Sequence, residues 1–499
     1  MTRHYSLDQN KTPLFDAVKR FADWDPVPFF IPAHKLGEGI DPRFKSFAGE
    51  NVFKIDLSEV RWTDDFHGAA SSIKEAQVLA ADAWGAARSH FLVNGTSGGI
   101  IAAMCAVLGD GDRIVVPRNA HKSAVYGLVL SGAEPVYVLP EIDSERGLVG
   151  GLTPEALESV LSEYTDVKAV FTVSPSYHGV MSDTGALSEI AHRHGAVLIS
   201  DEAHGNHMYF SERLPKGALE LGADIVCQST HKMSGALTQA SILHLGLGAE
   251  TRVDLEKIRA NLSMIQTTSP SYILLASLDM ARSYIATRGE TVLDGVLDTL
   301  ENARADIGAL PGFELLGKEL VGSAGIADYE PTRLVFSARA LGLDGYALFS
   351  LLREQYNIEC EFADPYWCVC VAGLGTTPAH TKALAAALKD ISEDVTGGRF
   401  FCHTEPSPCH TQSILPPIPP LGLTPREAWF AEKEAVPFES AQGRISAELV
   451  VPYPPGIPIL CPGEIITKEA HGFLLEQKHK GRHLHCAAGD SLLTLSVVK

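Results

Sequence analysis

Two side chains that could take part in one reaction stand at the ends of two apolar runs. Residues 223–227 read as a buried strand and lead to Lys232, and residues 196–200 read as another and lead to Asp201. A lysine amine can form a Schiff base with an aldehyde, and a nearby acid can keep a heteroaromatic nitrogen protonated. An amine and an acid at neighbouring strand ends are what a pyridoxal phosphate (PLP) site needs. The two positions therefore predict PLP chemistry centred on Lys232.

A glycine-rich turn with two hydroxyls precedes an apolar helix predicted at residues 100–108. Residues 94–99 read Asn-Gly-Thr-Ser-Gly-Gly and follow a short apolar strand at residues 91–93. Backbone N–H groups at a helix start, together with the helix dipole, favour a phosphate group. The turn is a candidate phosphate site, although its hydroxyls could also serve only as helix caps.

The elements that must position these groups alternate along the chain. Six short apolar runs, separated by helical sequences, read as strands: 91–93, 114–116, 135–139, 170–173, 196–200 and 223–227. Strands that alternate with helices at this spacing predict an α/β fold with a mostly parallel sheet covered on both faces. In such a sheet the ligand lies at the carboxyl ends of the strands, which is where Lys232 and Asp201 fall.

The chain divides into four predicted segments. They are an N-terminal arm (1–60), a large cofactor-binding domain (61–310), a smaller α+β domain (311–400) and a proline-rich linker with a C-terminal domain (401–499). The small domain is inferred from a strand at 334–336, a helix at 346–355, strands near residues 358 and 369, and a helix at 381–391. Proline-rich stretches are typical of stiff linkers, which separates the last segment from the rest.

Composition excludes several classes of partner. The 499-residue chain carries 61 acidic and 41 basic residues, a formal charge of −20, which disfavours binding to nucleic acid. We find no apolar run of roughly 20 residues and no apolar signal-peptide core, so we expect a cytoplasmic protein that does not enter the membrane. The nine cysteines are scattered through the chain and suggest reduced thiols. Cys402-His403 and Cys409-His410 lack the paired spacing of a metal site, so no metal is expected.

Four motifs together carry a family resemblance. They are Asp201-Glu202-Ala203-His204-Gly205, Gln228-Ser229-Thr230-His231-Lys232, Thr267-Thr268-Ser269-Pro270, and Pro452-Tyr453-Pro454-Pro455-Gly456-Ile457-Pro458 with Pro462-Gly463-Glu464. With them the chain resembles the PLP-dependent ornithine/lysine/arginine decarboxylases, which are built on PLP-dependent transferase fold type I, the fold of aspartate aminotransferase. The resemblance runs from Pro32 to Glu464. The chain is similar in length to the short biosynthetic arginine decarboxylases, without the extra N-terminal domain of the long inducible enzymes.

The resemblance implies a cofactor site. The residues that it places around PLP are Thr96, Ser97, Gly98, His121, Asp201, Ala203, His204, Ser229, His231, Lys232, Thr267 and Thr268. Among these, it implies that Thr267 or Thr268 reaches the cofactor of a partner subunit, in a homodimer or a larger oligomer.

Four of these residues are implied to be catalytic. Lys232 would carry the cofactor, and Asp201 would pair with its pyridine nitrogen. His121 would stack on the ring and favour decarboxylation, and His204 would lie beside Ala203 on the opposite face.

The resemblance implies decarboxylation of a basic L-amino acid in polyamine biosynthesis. Arginine, giving agmatine and carbon dioxide, is the preferred substrate, and lysine or ornithine is the alternative. A cationic side chain needs a buried carboxylate, for which Asp364, Glu448 and Glu464 are the candidates.

Two other functions remain open at this point. The first is a PLP aminotransferase, which would be expected to use an arginine of the small domain against the α-carboxylate. Arg353 is the one arginine in the helix predicted at 346–355, and no matching motif surrounds it. The second is a catalytically silent homologue that regulates an active relative.

Overall fold

Two units, each built from two stretches of the chain, make up the computed structural model. It describes residues 5–397, 415–452, 456–480, 483–486 and 492–499. The first unit contains Met1–Val107 and Ile199–Leu293, and the second contains Leu108–Leu198 and Asp294–Lys499.

The helices and strands of the described residues follow in chain order. The helices are α1 (Pro13–Trp24), α2 (Pro42–Ala48), α3 (Glu50–Lys54), α4 (Ser72–Trp84), α5 (Gly95–Val107), α6 (Lys122–Ser131), α7 (Pro154–Glu163), α8 (Thr184–Arg193), α9 (Thr230–Met233), α10 (Leu255–Ile265), α11 (Tyr272–Gly308), α12 (Gly345–Tyr356), α13 (Pro378–Thr396), α14 (Pro425–Phe430) and α15 (Lys468–His479). The strands are β1 (Arg88–Leu92), β2 (Arg113–Pro117), β3 (Glu134–Val138), β4 (Ile142–Asp143), β5 (Leu148–Val149), β6 (Val167–Val173), β7 (Val180–Met181), β8 (Val197–Asp201), β9 (Ile225–Gln228), β10 (Ser241–Leu245), β11 (Glu314–Leu315), β12 (Asp328–Tyr329), β13 (Arg333–Ser337), β14 (Phe362–Ala363), β15 (Cys368–Val371), β16 (Lys433–Pro437), β17 (Val451–Pro452), β18 (Leu484–His485) and β19 (Thr494–Val498).

In the first unit, β1, β10, β9 and β8 lie side by side in that order. β8 and β9 are parallel, whereas β10 is antiparallel to both of its neighbours. Every residue of β8, β9 and β10 is buried, as expected for strands covered on both faces. The strands predicted at 196–200 and 223–227 are confirmed as β8 and β9, so the residues that follow them leave the sheet at the same edge.

α5 is a buried helix that packs closely on this sheet. It begins at Gly95, whose φ of +68° is one that residues with a side chain rarely adopt. At Gly99 an added Cβ would lie 2.6 Å from Leu92 Cδ1, so glycine lets the helix approach the strand without moving the Leu92 side chain. The helix predicted at 100–108 is therefore confirmed, and its first turn starts earlier, within the glycine-rich segment.

The second unit contains a parallel group in which β2 lies between β6 and β3. α7 begins with an N-cap, since Thr153 Oγ1 accepts a hydrogen bond from the N–H of Ala156 at 3.1 Å, and has proline in its first turn. α6 follows β2 directly and has His121 as its N-cap. The loop between β2 and α6 thus carries one of the predicted site residues.

A second, antiparallel sheet of this unit has the order β11-β13-β15-β14. Phe336 packs in one core cluster with Leu348 of α12 and Leu388 of α13. The strand predicted near residue 358 lies further along the chain, as β14 at Phe362–Ala363. Asn357 takes a φ of +54° as the cap of α12 and Ile358 N still bonds to Leu352 O, so both residues complete the helix end.

The C-terminal part of the second unit has its own core. Buried side chains of α15, β19 and the segment around residue 460 form one apolar cluster: Phe438, Leu460, Ile466, Leu474, Leu495 and Val497 are among its members. No helix in the described ranges is both long and apolar enough to span a bilayer.

Candidate active site

The turn that carries Lys232 is short and firmly held. Ser229 is the N-cap of α9, and the carbonyl oxygen of Ala240 accepts hydrogen bonds from the backbone N of His231 at 3.2 Å and from its Nδ1 at 2.9 Å. Lys232 is half-buried, and its Nζ lies 3.0 Å from His204 Nε2. The amine therefore faces the loop that follows β8.

Asp201 ends β8 and is almost completely buried. Its Oδ1 accepts a hydrogen bond from Ala203 N at 3.1 Å. Burial raises the pKa of Asp201, while the positive charge of Lys232 and the Ala203 N–H act in the opposite direction. Asp201, Ala203, His204 and Lys232, all predicted site residues, are thus brought together within the first unit.

The predicted phosphate ligands lie at the N-terminus of α5. Thr96 Oγ1 and Ser229 Oγ are 2.5 Å apart, so the glycine-rich turn and the start of α9 meet through their hydroxyls. Gly98 is buried in the first turn of α5, and Ser97 is exposed. Burial lowers the pKa of His231, which favours the neutral imidazole, although its bond to the Ala240 carbonyl opposes this. A helix N-terminus with hydroxyls from two segments is suited to a phosphate.

Thr267 and Thr268 are exposed in the segment after α10. The carbonyl oxygen of Thr267 accepts a hydrogen bond from His67 Nε2 at 3.0 Å. His121 belongs to the second unit, where it caps α6 and its Nδ1 lies 2.8 Å from Ser123 Oγ. These residues remain site predictions.

Glu464, a predicted substrate-binding acid, has a cationic partner in the protein. Its two carboxylate oxygens accept hydrogen bonds from Arg118 Nη1 at 2.6 Å and Nη2 at 2.8 Å, and both side chains are buried. The same Arg118 donates to the carbonyl oxygen of Ile459 at 2.8 Å. This bidentate geometry is the strongest form of arginine–carboxylate pairing, so Glu464 already neutralises an internal guanidinium.

The other two predicted acids also have protein partners. Asp364 Oδ2 is 2.8 Å from His178 Nε2, and its Oδ1 accepts hydrogen bonds from Tyr366 N and Trp367 N. Glu448 Oε1 accepts one from Ser496 N at 2.5 Å. All three acids are buried residues of the second unit.

Sequence reasoning assigned no role to several buried polar residues near these sites. Arg118 and His178 pair with the predicted acids, and Glu202, Gln228 and Ser234 surround the Lys232 turn. The available signal was a polar residue at the end of a buried apolar strand, as for Gln228, or directly after one, as for Glu202. Their partners are distant in sequence, so that signal could not have identified the contacts.

A metal centre is not formed by the described residues. Within the ranges given above, no group of three His, Cys, Asp or Glu side chains could hold a metal ion. Cys402, His403, Cys409 and His410, and likewise Tyr453, Pro454 and Pro455 of the proline-rich motif, lie outside the described residues.

Comparison with known proteins relates this site to a family. The sequence model for the Orn/Lys/Arg decarboxylase major domain matches residues 12–380, and that for the Orn/Lys/Arg decarboxylase C-terminal domain matches residues 415–484. The chain is 41% identical over 491 residues to an arginine decarboxylase of Halalkalibacterium halodurans, covering 98% of each chain. It is 40% identical over 493 residues to an arginine decarboxylase of Bacillus subtilis, covering 99% of each.

A solved structure supports the fold. The lysine decarboxylase LdcF of Francisella novicida superposes with a TM-score of 0.81 at 21% identity, covering 98% of this chain and 81% of that one. The predicted fold class, an α/β protein of PLP-dependent transferase fold type I, is confirmed.

Proposed function

The chain belongs to the Orn/Lys/Arg decarboxylase family, and we propose that it converts L-arginine to agmatine and carbon dioxide with PLP as its cofactor. Arginine as the substrate is supported by the sequence identity of about 40% between this chain and relatives named arginine decarboxylases, over almost the whole length of each. Lysine and ornithine, the other substrates in the family name, remain the alternatives.

The residues of the first unit fit PLP. A buried acid, a lysine amine and paired hydroxyls at a helix N-terminus are the donor set that its ring nitrogen, aldehyde and phosphate require. Asp201 would hold the ring nitrogen, Lys232 the aldehyde carbon, and Thr96 and Ser229 the phosphate. When bound, PLP supplies an electron sink for the pair of electrons left when the α-carboxylate departs.

The chain's own residues would manage the protons. Lys232 Nζ lies 3.0 Å from His204 Nε2, so the two groups can share a proton, and we propose that Lys232 returns it to the α-carbon. Asp201 is buried beside the positive charge of Lys232, and its carboxylate would keep the ring nitrogen protonated. His121 is proposed to stack on the ring, and Thr267 or Thr268 to reach the cofactor of a partner subunit in a homodimer.

The substrate's guanidinium needs an acid that is not already paired with an arginine of the protein. Glu464 is paired with Arg118, so we propose that it holds Arg118. Asp364 and Glu448, whose hydrogen bonds given above come from His178 and from backbone N–H groups, remain the candidates for binding the substrate's side chain. A planar bidentate partner would favour arginine over lysine.

One experiment separates these functions. The purified protein with PLP is incubated with arginine, lysine or ornithine, and the amine, keto acid and carbon dioxide are measured. We expect agmatine and carbon dioxide in equal amounts from arginine. Cadaverine or putrescine as the main product would change the substrate, and a keto acid without carbon dioxide would indicate an aminotransferase. Visible cofactor absorbance without any turnover would indicate a silent homologue.

Lys232→Ala is the matching test of the site. Because the cofactor would lose its covalent attachment, we expect loss of both the visible absorbance and turnover. Lys257→Ala, an exposed lysine of α10, serves as the control and should keep both. A Lys232→Ala protein that retained both would refute the assignment.

A further inference from the structure

A chain of buried side chains runs beneath the Lys232 turn in the first unit. Its members are Glu202, Asn206, Gln228, Ser234 and His244, none of them more than 1% exposed. They come from the loop after β8, from β9 and β10, and from the end of α9. Burying five polar side chains is costly unless each has hydrogen-bond partners. The direction of each hydrogen bond can therefore be assigned by matching donors with acceptors.

Glu202 is the acceptor at one end of this chain. Tyr209 Oη donates to its Oε2 at 2.7 Å, and the backbone N of Ala218 donates to its Oε1 at 2.6 Å. Gln228 Nε2 is 2.6 Å from Oε2 and supplies a third hydrogen bond. Three donors converge on one carboxylate, which sets the orientation of the Gln228 amide with nitrogen toward Glu202.

The orientation of Gln228 determines the rest of the chain. Its Oε1 must accept, and it does so from Asn206 Nδ2 at 2.6 Å and from His244 Nε2 at 3.1 Å. His244 Nδ1 is then the acceptor for Ser89 Oγ at 2.7 Å. Asn206 Oδ1 in turn accepts from Ser234 Oγ. Every hydrogen bond in this series of side chains is therefore donated in the direction of Glu202.

The series of hydrogen-bonded side chains ends at the turn that holds Lys232. Ser234 is the C-cap of α9, and its backbone N bonds to Thr230 O at 2.9 Å, across the turn that contains Lys232. Its hydroxyl thus ties this turn to Asn206 and, through Gln228, to Glu202. Glu202 itself directly follows Asp201. The hydrogen-bonded side chains therefore link the segment that carries Asp201 to the turn that carries Lys232, and the proposed PLP site requires both.

We propose that Glu202 is a positioning residue for Lys232. Its carboxylate orients Gln228 and Asn206, and through Ser234 it holds the turn that presents the amine. It acts through the chain of hydrogen bonds and contacts neither substrate nor cofactor. The inference rests on the proposed function, because only a reacting Lys232 needs this precision.

The test exchanges the donor and acceptor ends of the chain. Glu202→Gln keeps the volume but places an NH2 group where a carboxylate oxygen accepts. On the Oε1 side it deprives Ala218 N of its acceptor, and on the Oε2 side it deprives both Tyr209 Oη and Gln228 Nε2. Glu202→Gln with Gln228→Glu restores the hydrogen bond between residues 202 and 228, because the carboxylate introduced by the second substitution would accept from Asn206, His244 and the new amide. Tyr209 Oη is affected in both variants, so the comparison of the two isolates the bond between residues 202 and 228. Glu290→Gln, an exposed residue of α11, is the matched control.

The first measurement uses the protein without PLP. Burial raises the pKa of Glu202 to about 7, against the three hydrogen bonds, so the work is done at about pH 8, where the carboxylate predominates. We expect amides 230–234 of Glu202→Gln to exchange about tenfold to hundredfold faster than those of the unaltered protein. Exchange elsewhere should change less, and the double variant should recover most of the protection.

The second measurement uses the enzyme with PLP and arginine. A misplaced amine should lower kcat about tenfold with little change in KM, and should shift the pH midpoint of the visible absorbance of the lysine-bound cofactor. If Glu202→Gln does not fold, Ser234→Ala removes only the last donor and should move the same readouts less. Unchanged exchange and absorbance in the folded variant, or a double variant no better than the single one, would overturn the proposal. An unaltered protein inactive on arginine would count against the proposed function alone, since the exchange measurement is made without substrate.

Discussion

The turn that carries Lys232 and the loop that carries His121 are held by different kinds of buried contact. In the first unit, neutral donors are ordered toward the single carboxylate of Glu202. In the second unit, Arg118, three residues before His121, forms a bidentate ion pair with Glu464. A neutral chain sets orientation by matching donors with acceptors, whereas a buried ion pair sets position at the cost of removing two charges from water.

This difference predicts unequal responses to substitution. Loss of one member of the neutral chain leaves a single group without a partner, which costs about 1–3 kcal/mol. Loss of one member of the ion pair leaves a charge buried and unpaired, which costs about 3–5 kcal/mol. The loop that carries His121 should therefore be the more sensitive of the two to a change of charge. The turn that carries Lys232 should be the more sensitive to a change in the direction of a hydrogen bond.

Glu464→Gln should have the largest effect on stability. It leaves the Arg118 guanidinium buried without its carboxylate, and we expect the segment 459–466 to lose about 3 kcal/mol of protection against hydrogen exchange. The control is Glu469→Gln, an exposed position in the first turn of α15. Equal effects of Glu464→Gln and Glu202→Gln on their own segments would remove the contrast between the two regions.

Acid should remove the stability that neutral His244 contributes to the first unit, which is a smaller effect. Burial, helped by the charge of His90, lowers the pKa of His244 to about 3. A histidine with a lowered pKa contributes stability that is present above its unfolded pKa of about 6.5 and is lost as pH falls. Between about pH 6.5 and 5 the loss is about 2 kcal/mol, because one pKa unit corresponds to about 1.4 kcal/mol.

Hydrogen exchange of the β10 amides at about pH 7 and 5, corrected for intrinsic rates, measures this loss. His244→Gln should remove this contribution and leave two others, namely that of His90 on β1, whose pKa burial lowers to about 4, and the opposite one of Glu202, whose pKa burial raises to about 7. His479→Gln, an exposed histidine of α15, should leave the pH dependence unchanged. A slope in His244→Gln that equals that of the unaltered protein would show that His244 does not contribute to it.

Ser123→Ala should have the smallest effect, at the His121 loop. It removes the hydroxyl that lies 2.8 Å from His121 Nδ1 but leaves the Arg118–Glu464 pair intact. We expect a loss of about 1 kcal/mol of protection in the first turn of α6. Thr184→Ala, at the first residue of α8, is a comparison within the same unit. A loss as large as that of Glu464→Gln would mean that the ion pair does not dominate this region.

Much of the fold could be predicted because its signals are local. The apolar runs of β8 and β9 and the cap of α7 each depend on a few consecutive residues. The strand predicted near residue 358 begins later, at Phe362, because the helix cap at Asn357 determines the backbone conformation at residues 357 and 358. The local sequence predicts whether a helix or strand forms better than it predicts the residues at which that element begins and ends.

The same division applies to the site. From the sequence alone, Lys232, Asp201 and Thr96 could be placed at strand and helix ends, because residue type and apolar pattern determine them. Only the tertiary structure decided which partner each buried polar group has. Arg118 meets Glu464 across 346 residues, and Ser89 meets His244 across 155. A buried charge or amide takes the nearest complementary group in space, and proximity in space is a property of the packed fold.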